Sequence, residues 1–499
     1  MVDYFEENVI VRKKFKNSIK SKKAHLHVGF FWCFFGLAFF CYTLFSSPPT
    51  GLSEAGWHTL GVSTLMAFLW ISEAIPFAVT ALLPVVLFPF AGICNVTVAA
   101  APYANPVIFL FLGGILIANG LQRSCLHKRI ALKIICLAGT RQSALIAGFL
   151  VASAFLSMWV SNTAVALMML PIAISVIVLF RAQNDTSFAP ALVLTVAYGS
   201  SIGGMSTLVG TAPNAILSGF MLENYGVTIS FLGWMLLALP PVLVLLGLAW
   251  LVLTKLAFRV KGHAVEDAGD LLRVETGSLG PMSVGELGVM VVFFATAGLW
   301  LARGFLQFWV PWLTDATISM AGGIALFFLP LDRAWSSSIL DQETLKKIPF
   351  DVLLLIGGGL SLAAAIHANG LAAWIGSFAH QAASLPAPAV VCSILFIIIC
   401  LAELTSNTAT TSAFLPVGAA LAAGLNLPPL PLLAGIALAS SCGFMLPVST
   451  PPNAIVFSSG YVSMSQMIRS GILLNVASWI IFSFWLGWVI PRFSGWAEW

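Results

Sequence analysis

Charge is what this chain has least of. Asp, Glu, Lys and Arg make up 8% of its 499 residues, where a soluble domain carries about 25%. So few charges cannot clothe a surface in water, which excludes an ordinary soluble globular protein. Membrane-barrel strands of alternating polarity are missing too. The apolar runs are continuous and about 16–25 residues long, the length of membrane helices. The eight cysteines are scattered, with Cys33, Cys41, Cys136 and Cys400 inside apolar runs and no CxxC spacing; neither a disulfide framework nor a thiolate metal site is suggested. There is no HExxH sequence and no Ser/His/acid or paired-Asp set at membrane depth, so the chain does not read as an enzyme.

What is present is 59% hydrophobic residues and a mean hydropathy of +0.98. In a bilayer every backbone polar group must be satisfied within the protein, so the expected class is an all-α polytopic membrane protein. Candidate spans fall at 28–46, 56–75, 77–92, 106–122, 164–181, 189–207, 230–257, 285–303, 315–330, 350–366, 411–425, 431–446 and 467–490. Two further apolar stretches, 142–160 and 388–404, run into polar breaks and read either as full spans or as re-entrant hairpins. Arg12, Lys13, Lys14, Lys16, Lys20, Lys22 and Lys23 crowd a basic segment, 1–27, just before the first apolar run. The positive-inside rule places that end in the cytoplasm. A cluster that abuts a span does not point to nucleic acid. The run 28–45 reads as a retained first helix. The one long polar stretch in the interior, 259–284, reads as a linker between a first half, 28–258, and a second, 285–499.

The two halves repeat each other. Gly113-Gly114 recurs as Gly357-Gly358, Ser161-Asn162-Thr163-Ala164 as Ser406-Asn407-Thr408-Ala409, and Pro213-Asn214-Ala215-Ile216 as Pro452-Asn453-Ala454-Ile455. From Gly113 to Gly357 is 244 residues, from Ser161 to Ser406 is 245, and from Asn214 to Asn453 is 239. Three matches in one order at nearly one period indicate an internal duplication, which in membrane proteins marks transporters above all.

The repeated segments are also where chemistry can be done. Polar side chains at bilayer depth are unfavourable unless satisfied. One Ser-Asn-Thr taken alone is interhelical hydrogen bonding; the same tripeptide in both halves points to a site. The segments 210–214 and 449–453 carry Gly, Ser, Thr and Pro between apolar runs, and Pro213, Pro451 and Pro452 break regular helix. Such breaks free carbonyl oxygens for a small hard cation and expose helix N-termini that favour anions. The motifs contain no carboxylate, whereas Ca²⁺ or Mg²⁺ would want several, and no His or Cys for a transition metal. Neutral oxygens suit a monovalent cation such as Na⁺. No Lys or Arg adjoins either tripeptide, so an anion bound there would be balanced by cations and helix dipoles, which ties the two bindings together. Glu73 and Glu403 lie within or near apolar runs; each reads as a structural acid bonded to backbone, with a proton relay as the alternative.

The paired Ser-Asn-Thr and Pro-Asn-Ala-Ile segments, with Trp70-Ile-Ser-Glu-Ala-Ile-Pro76, Phe111-Leu-Gly-Gly114 and His127-Lys-Arg129, resemble the divalent anion–sodium symporter family over most of 55–490. The resemblance implies a homodimer in the plasma membrane, about eleven spans and two re-entrant hairpins per protomer, and scaffold and transport domains that work as an elevator. It implies Na⁺-coupled uptake of small dicarboxylates, with a Na⁺-independent exchanger or a citrate or sulfate carrier as alternatives. It places a first Na⁺ at Ser157, Ser161, Asn162 and Gly210, and a second at Ala402, Thr405, Asn407 and Ser449. The dicarboxylate would be held by Asn162, Thr163, Thr211, Asn407, Thr408, Thr450 and Pro451. Two departures stand out: Ala402 replaces a familiar Thr, and Ala212-Pro213 replaces a double Pro.

Overall fold

The computed structural model describes residues 32–180, 187–260, 268–379 and 386–492. The basic segment 1–27 lies outside them. Within them the chain is helical and no strand is found; the lone bridge pairs Pro330 with Ser338. The first helices are α1 (Trp32–Phe45), α2 (Glu54–Ser72), α3 (Phe77–Ala81), α4 (Leu83–Phe90) and α5 (Val96–Ala100). Ser53 starts α2 by accepting from the Gly56 amide, and Glu73 ends it in a left-handed conformation with φ of 50°. The expected single span 77–92 is two short helices. Pro84 has no amide to give to Thr80, so the helix restarts at Leu83.

Next come α6 (Pro106–Arg123), α7 (Leu126–Ala138), α8 (Gln142–Ser157), α9 (Asn162–Phe180), α10 (Phe188–Gly204), α11 (Ala212–Tyr225) and α12 (Phe231–Leu251). The linker holds α13 (Ala268–Ser278), and α14 (Val284–Leu306), α15 (Asp315–Phe328) and α16 (Gln342–Leu345) follow it. The chain closes with α17 (Phe350–Ala368), α18 (Leu371–Ala379), α19 (Ala387–Ala402), α20 (Asn407–Gly424), α21 (Pro429–Ser440), α22 (Pro451–Ser458) and α23 (Met464–Phe484). The series from α6 to α12 recurs, element for element, from α17 to α23. Even the irregularities match: α12 runs into a π-helical turn at Val252–Ala257 and α23 into one at Trp485–Val489. Among the described residues five helical stretches are long and apolar enough to cross a bilayer: Val96–Arg123, Phe231–Ala257, Val284–Leu306, Phe350–Ala368 and Met464–Arg492.

The stretches 142–160 and 388–404 are first arms of hairpins. α8 turns back on α9 and α19 on α20, and each hairpin is braced by the next helix, α10 or α21, against both arms. Close approach in the first brace needs glycine. A methyl on Gly199 would stand 2.9 Å from the Leu150 carbonyl oxygen, and one on Gly203 would collide with the Ala154 backbone, the small-residue contact that lets membrane helices approach. The helices beyond the braces cross between halves: α22 packs on α9 and α10, and α11 on α17, α20 and α21. Buried apolar side chains, among them Phe149, Tyr198 and Trp234 on helices and Phe444 in the break before α22, form one large core, and α1–α5 with α17 and α18 a smaller one.

The later part of the linker, 268–284, is docked rather than free. Lys128 on α7 pairs with Glu275 on α13 at 3.0 Å. Arg129 donates to both oxygens of Glu286 at 2.7 and 3.0 Å and also to the Leu279 and Gly280 carbonyls. Nearby, the Arg123 guanidinium beside Asp341 holds that carboxyl well below the usual carboxylate range. The Arg129 and Glu286 side chains are only 11% and 5% exposed, against 84% and 80% for the pair Arg273–Asp270. Removing one partner of a buried pair strands the other. Arg129→Ala is therefore expected to lower stability by about 3 kcal/mol, and Arg273→Ala by less than about 0.5 kcal/mol. Thermal unfolding of the detergent-purified variants checks this; equal shifts would refute it.

Candidate functional site

Four helices begin at the repeated motifs. α9 starts at Asn162 and α20 at Asn407, each at a hairpin tip; α11 starts at Ala212 and α22 at Pro451, each after a broken stretch. Proline in the first turn of α11 and α22 suits a helix start, where its missing amide has no partner to lose. Unpaired first-turn amides therefore open at four places, all in the interlocked part of the fold.

At the first hairpin the oxygens converge. Ser157 is fully buried and its hydroxyl donates to Asn162 Oδ1 at 2.6 Å. A methyl on Gly204 would collide with that same Oδ1 and stand 3.2 Å from the Gly210 carbonyl oxygen. One on Gly210 would collide with the Gly204 carbonyl and stand 2.9 Å from that of Ser157. Asn162 Oδ1 and the carbonyls of Ser157, Gly204 and Gly210 thus line one space that only glycine leaves open. Ser161 is exposed at the tip, while Asn162, Thr163 and Thr211 are half-buried. Thr211 is extended and its side chain does not cap α11.

The second hairpin repeats the scheme with different atoms. A methyl on Gly443 would lie 3.1 Å from the Ala402 carbonyl oxygen, 3.1 Å from Ser449 Oγ and 2.8 Å from its Cβ. Ala402 offers this space its backbone carbonyl, an oxygen that does not depend on which side chain stands there. Thr405 spends its hydroxyl on the Leu401 carbonyl at 2.8 Å and on Thr410 at 2.6 Å. Asn407 Oδ1 is buried with no partner among the described residues. Asn407 and Thr408 are half-buried, Thr450 is buried and bonded to the Asn453 amide nitrogen, and Pro451 is exposed.

The sequence reading missed the residues that hold the breaks open. Fully buried Asn214 points Nδ2 at the carbonyls of Gly204, Met205 and Thr207, at 3.2, 3.2 and 2.7 Å. Asn453 does the same for Gly443 and Leu446, both at 3.0 Å, and for Ser449 Oγ at 3.1 Å. The signal was there, since both belong to the repeated Pro-Asn-Ala-Ile. Trp234 adds a bond from its indole to the Met205 carbonyl at 3.1 Å, and Tyr198 one to Phe444 at 3.0 Å. Glu403 is a buried acid whose partners are the backbone amides of Phe444, Met445 and Leu446 and the side-chain amide of Asn475. The first hairpin tip is wedged by Trp159, stacked on Phe231 and Trp300 with centroids 5.9 and 6.4 Å away.

Two clusters of neutral oxygens beside helix N-termini can bind small monovalent cations and, next to them, an anion. Among the described residues no group of three His, Cys, Asp or Glu is placed to hold a metal. The family model described as the sodium:sulfate symporter transmembrane region matches residues 29–491. The chain belongs to this family, the divalent anion–sodium symporters. It is a membrane transporter and not an enzyme. The sodium-dependent dicarboxylate transporter SdcS of Staphylococcus saprophyticus is 38% identical over 472 residues, 92% of this chain and 91% of the relative. That of Staphylococcus aureus strain USA300 is 39% identical over the same shares. The solved structures of Neisseria gonorrhoeae MtrF and Alcanivorax borkumensis YdaH share the fold with TM-scores of 0.55 and 0.57. Their identities are 12% and 13%; they cover 92% and 94% of this chain, and this chain 94% and 98% of theirs.

The oxygen cluster tolerates no methyl at Gly210. Gly210→Ala is expected to abolish anion uptake into liposomes while the protein still elutes as a single folded species. Gly247→Ala, where nothing lies within 4 Å of the added carbon, should transport normally. Full activity in Gly210→Ala would show that this space is not used.

Proposed function

We propose that this transporter imports four-carbon dicarboxylates such as succinate, malate and fumarate together with Na⁺. The observation that carries the reading is the pair of clusters of neutral oxygens, one at each hairpin tip. A dianion placed between them has no Lys or Arg in the motifs to neutralise it, so its charge is balanced by helix N-termini and bound cations. Each cation then raises the affinity for the anion and the anion raises that for the cation, which is the thermodynamic content of symport. The Staphylococcus relatives, sodium-dependent dicarboxylate transporters, support the same substrate class.

In this reading Ser157, Ser161, Asn162 and Gly210 hold one Na⁺. Ala402, Thr405, Asn407 and Ser449 hold the other, through backbone carbonyls at Ala402 and Thr405. Asn162, Thr163, Thr211, Asn407, Thr408, Thr450 and Pro451 receive the carboxylates, so the two Asn residues touch both ion and substrate. Ions order the hairpin tips first, the dianion binds next, and the loaded transport domain crosses as an elevator beside a scaffold that makes the homodimer. The protein sits in the plasma membrane with its N-terminus in the cytoplasm.

Reconstituted protein should take up radiolabelled succinate under an inward Na⁺ gradient and not under K⁺ or choline. Asn162→Ala and Asn407→Ala should each bring uptake down to the level of empty liposomes. Uptake that follows internal dicarboxylate and ignores Na⁺ would mean an exchanger on this scaffold. Absence of succinate uptake with uptake of citrate or sulfate would move the substrate within the family.

A further inference from the structure

The two oxygen clusters are built on the same plan but differ in one charge. Three residues before Ser161 stands Met158; three residues before Ser406 stands Glu403. In the first half the link between hairpin tip and break is neutral: the Thr207 hydroxyl donates to the Met158 carbonyl. In the second half it is the Glu403 carboxylate. Its Oε1 accepts from the amides of Phe444 and Met445 at 2.8 and 3.0 Å, and its Oε2 from those of Met445 and Leu446 at 3.1 Å each. The side-chain amide of Asn475 on α23 donates to Oε1 at 2.6 Å. Both oxygens accept and neither donates, the pattern of a carboxylate rather than of a carboxylic acid.

The charge is only 5% exposed and forms no ion pair with any Lys, Arg or His among the described residues. A buried charge without a counter-charge is costly, and a cation close by relieves that cost. The cluster built from the Ala402 carbonyl, Gly443 and Ser449 adjoins Glu403 on both sides: Ala402 precedes it in the chain, and Gly443 precedes the amides it grips.

We propose that Glu403 is the positioning residue of the second cation site. It fixes 444–446 so that the neighbouring oxygens stay aimed at one point, and its negative charge raises cation affinity there, a feature the first site lacks. The inference rests on the Na⁺-coupled reading above.

The test is succinate uptake by reconstituted wild type, Glu403→Gln and Asn475→Ala across Na⁺ concentrations, with choline keeping ionic strength constant. Groups behind metal ligands commonly change affinity about tenfold or more. Glu403→Gln should therefore raise the half-saturating Na⁺ concentration about tenfold, with the maximal rate restored at high Na⁺ and succinate KM there unchanged. Asn475→Ala keeps the charge but loosens it, so its shift should be smaller and in the same direction. An unchanged half-saturating Na⁺ concentration in Glu403→Gln, with a rate lowered at every Na⁺ concentration, would reduce Glu403 to a structural part and overturn the proposal. If that variant does not elute as a folded species, Asn475→Ala decides by the same criterion. Wild-type uptake indifferent to Na⁺ would instead overturn the symport reading itself, and the inference with it.

Discussion

Everything in this protein's centre depends on how broken backbone is satisfied away from water. A helix that stops at membrane depth leaves carbonyls that must find donors inside the protein. Here one side-chain amide does much of that work in each half. Asn214 reaches three carbonyls of the first break, and Asn453 two carbonyls and a hydroxyl of the second. Because each amide ties down some oxygens, those left over are held in fixed directions. A flexible loop of the same composition would present the same atoms without the geometry, and would bind a small cation poorly after the entropy of ordering it.

The breaks do not act separately, because the helices they release cross to the other half. α11, which follows the first break, rests on α20 of the second hairpin, and α22, which follows the second, rests on α9 of the first. The stretch around Gly210 sets the base of α11, and through it a wall of the other hairpin. The duplication thus supplies more than two similar segments. It builds the support of each hairpin partly from the opposite half, so that neither can be rearranged without the other.

The sequence made the motif positions readable, since proline and asparagine act locally. Helix starts at Asn162, Asn407, Ala212 and Pro451 follow from the breakers beside them. The outer helices were readable from apolar length alone. What escaped was set by contacts distant along the chain. Glu403 is a structural acid bonded to backbone, as its place in an apolar run suggested, but which amides it grips, 444–446, and its bond from Asn475 are set by the fold alone. The small helices α7 and α18 escaped because they are short, and α7 buries only one face. The polar stretch was read as a linker between the halves, and only the fold shows that Lys128 and Arg129 supply charges and carbonyl contacts to α13 and the turn after it.

The replacement at Ala402 shows how such a site tolerates drift. A hydroxyl lost from a site built on side chains would remove a ligand. In a site built on carbonyls, any residue that keeps the backbone in place supplies the same oxygen, and Ala402 does so with its own carbonyl turned toward Gly443 and Ser449. What the geometry then depends on is whatever holds the backbone: the glycines that leave room, the two asparagines that staple the breaks, and the acid that grips 444–446. Substitutions at those positions are felt through geometry, and at Ala402, whose side chain is fully buried, packing rather than a lost hydroxyl limits what can stand there.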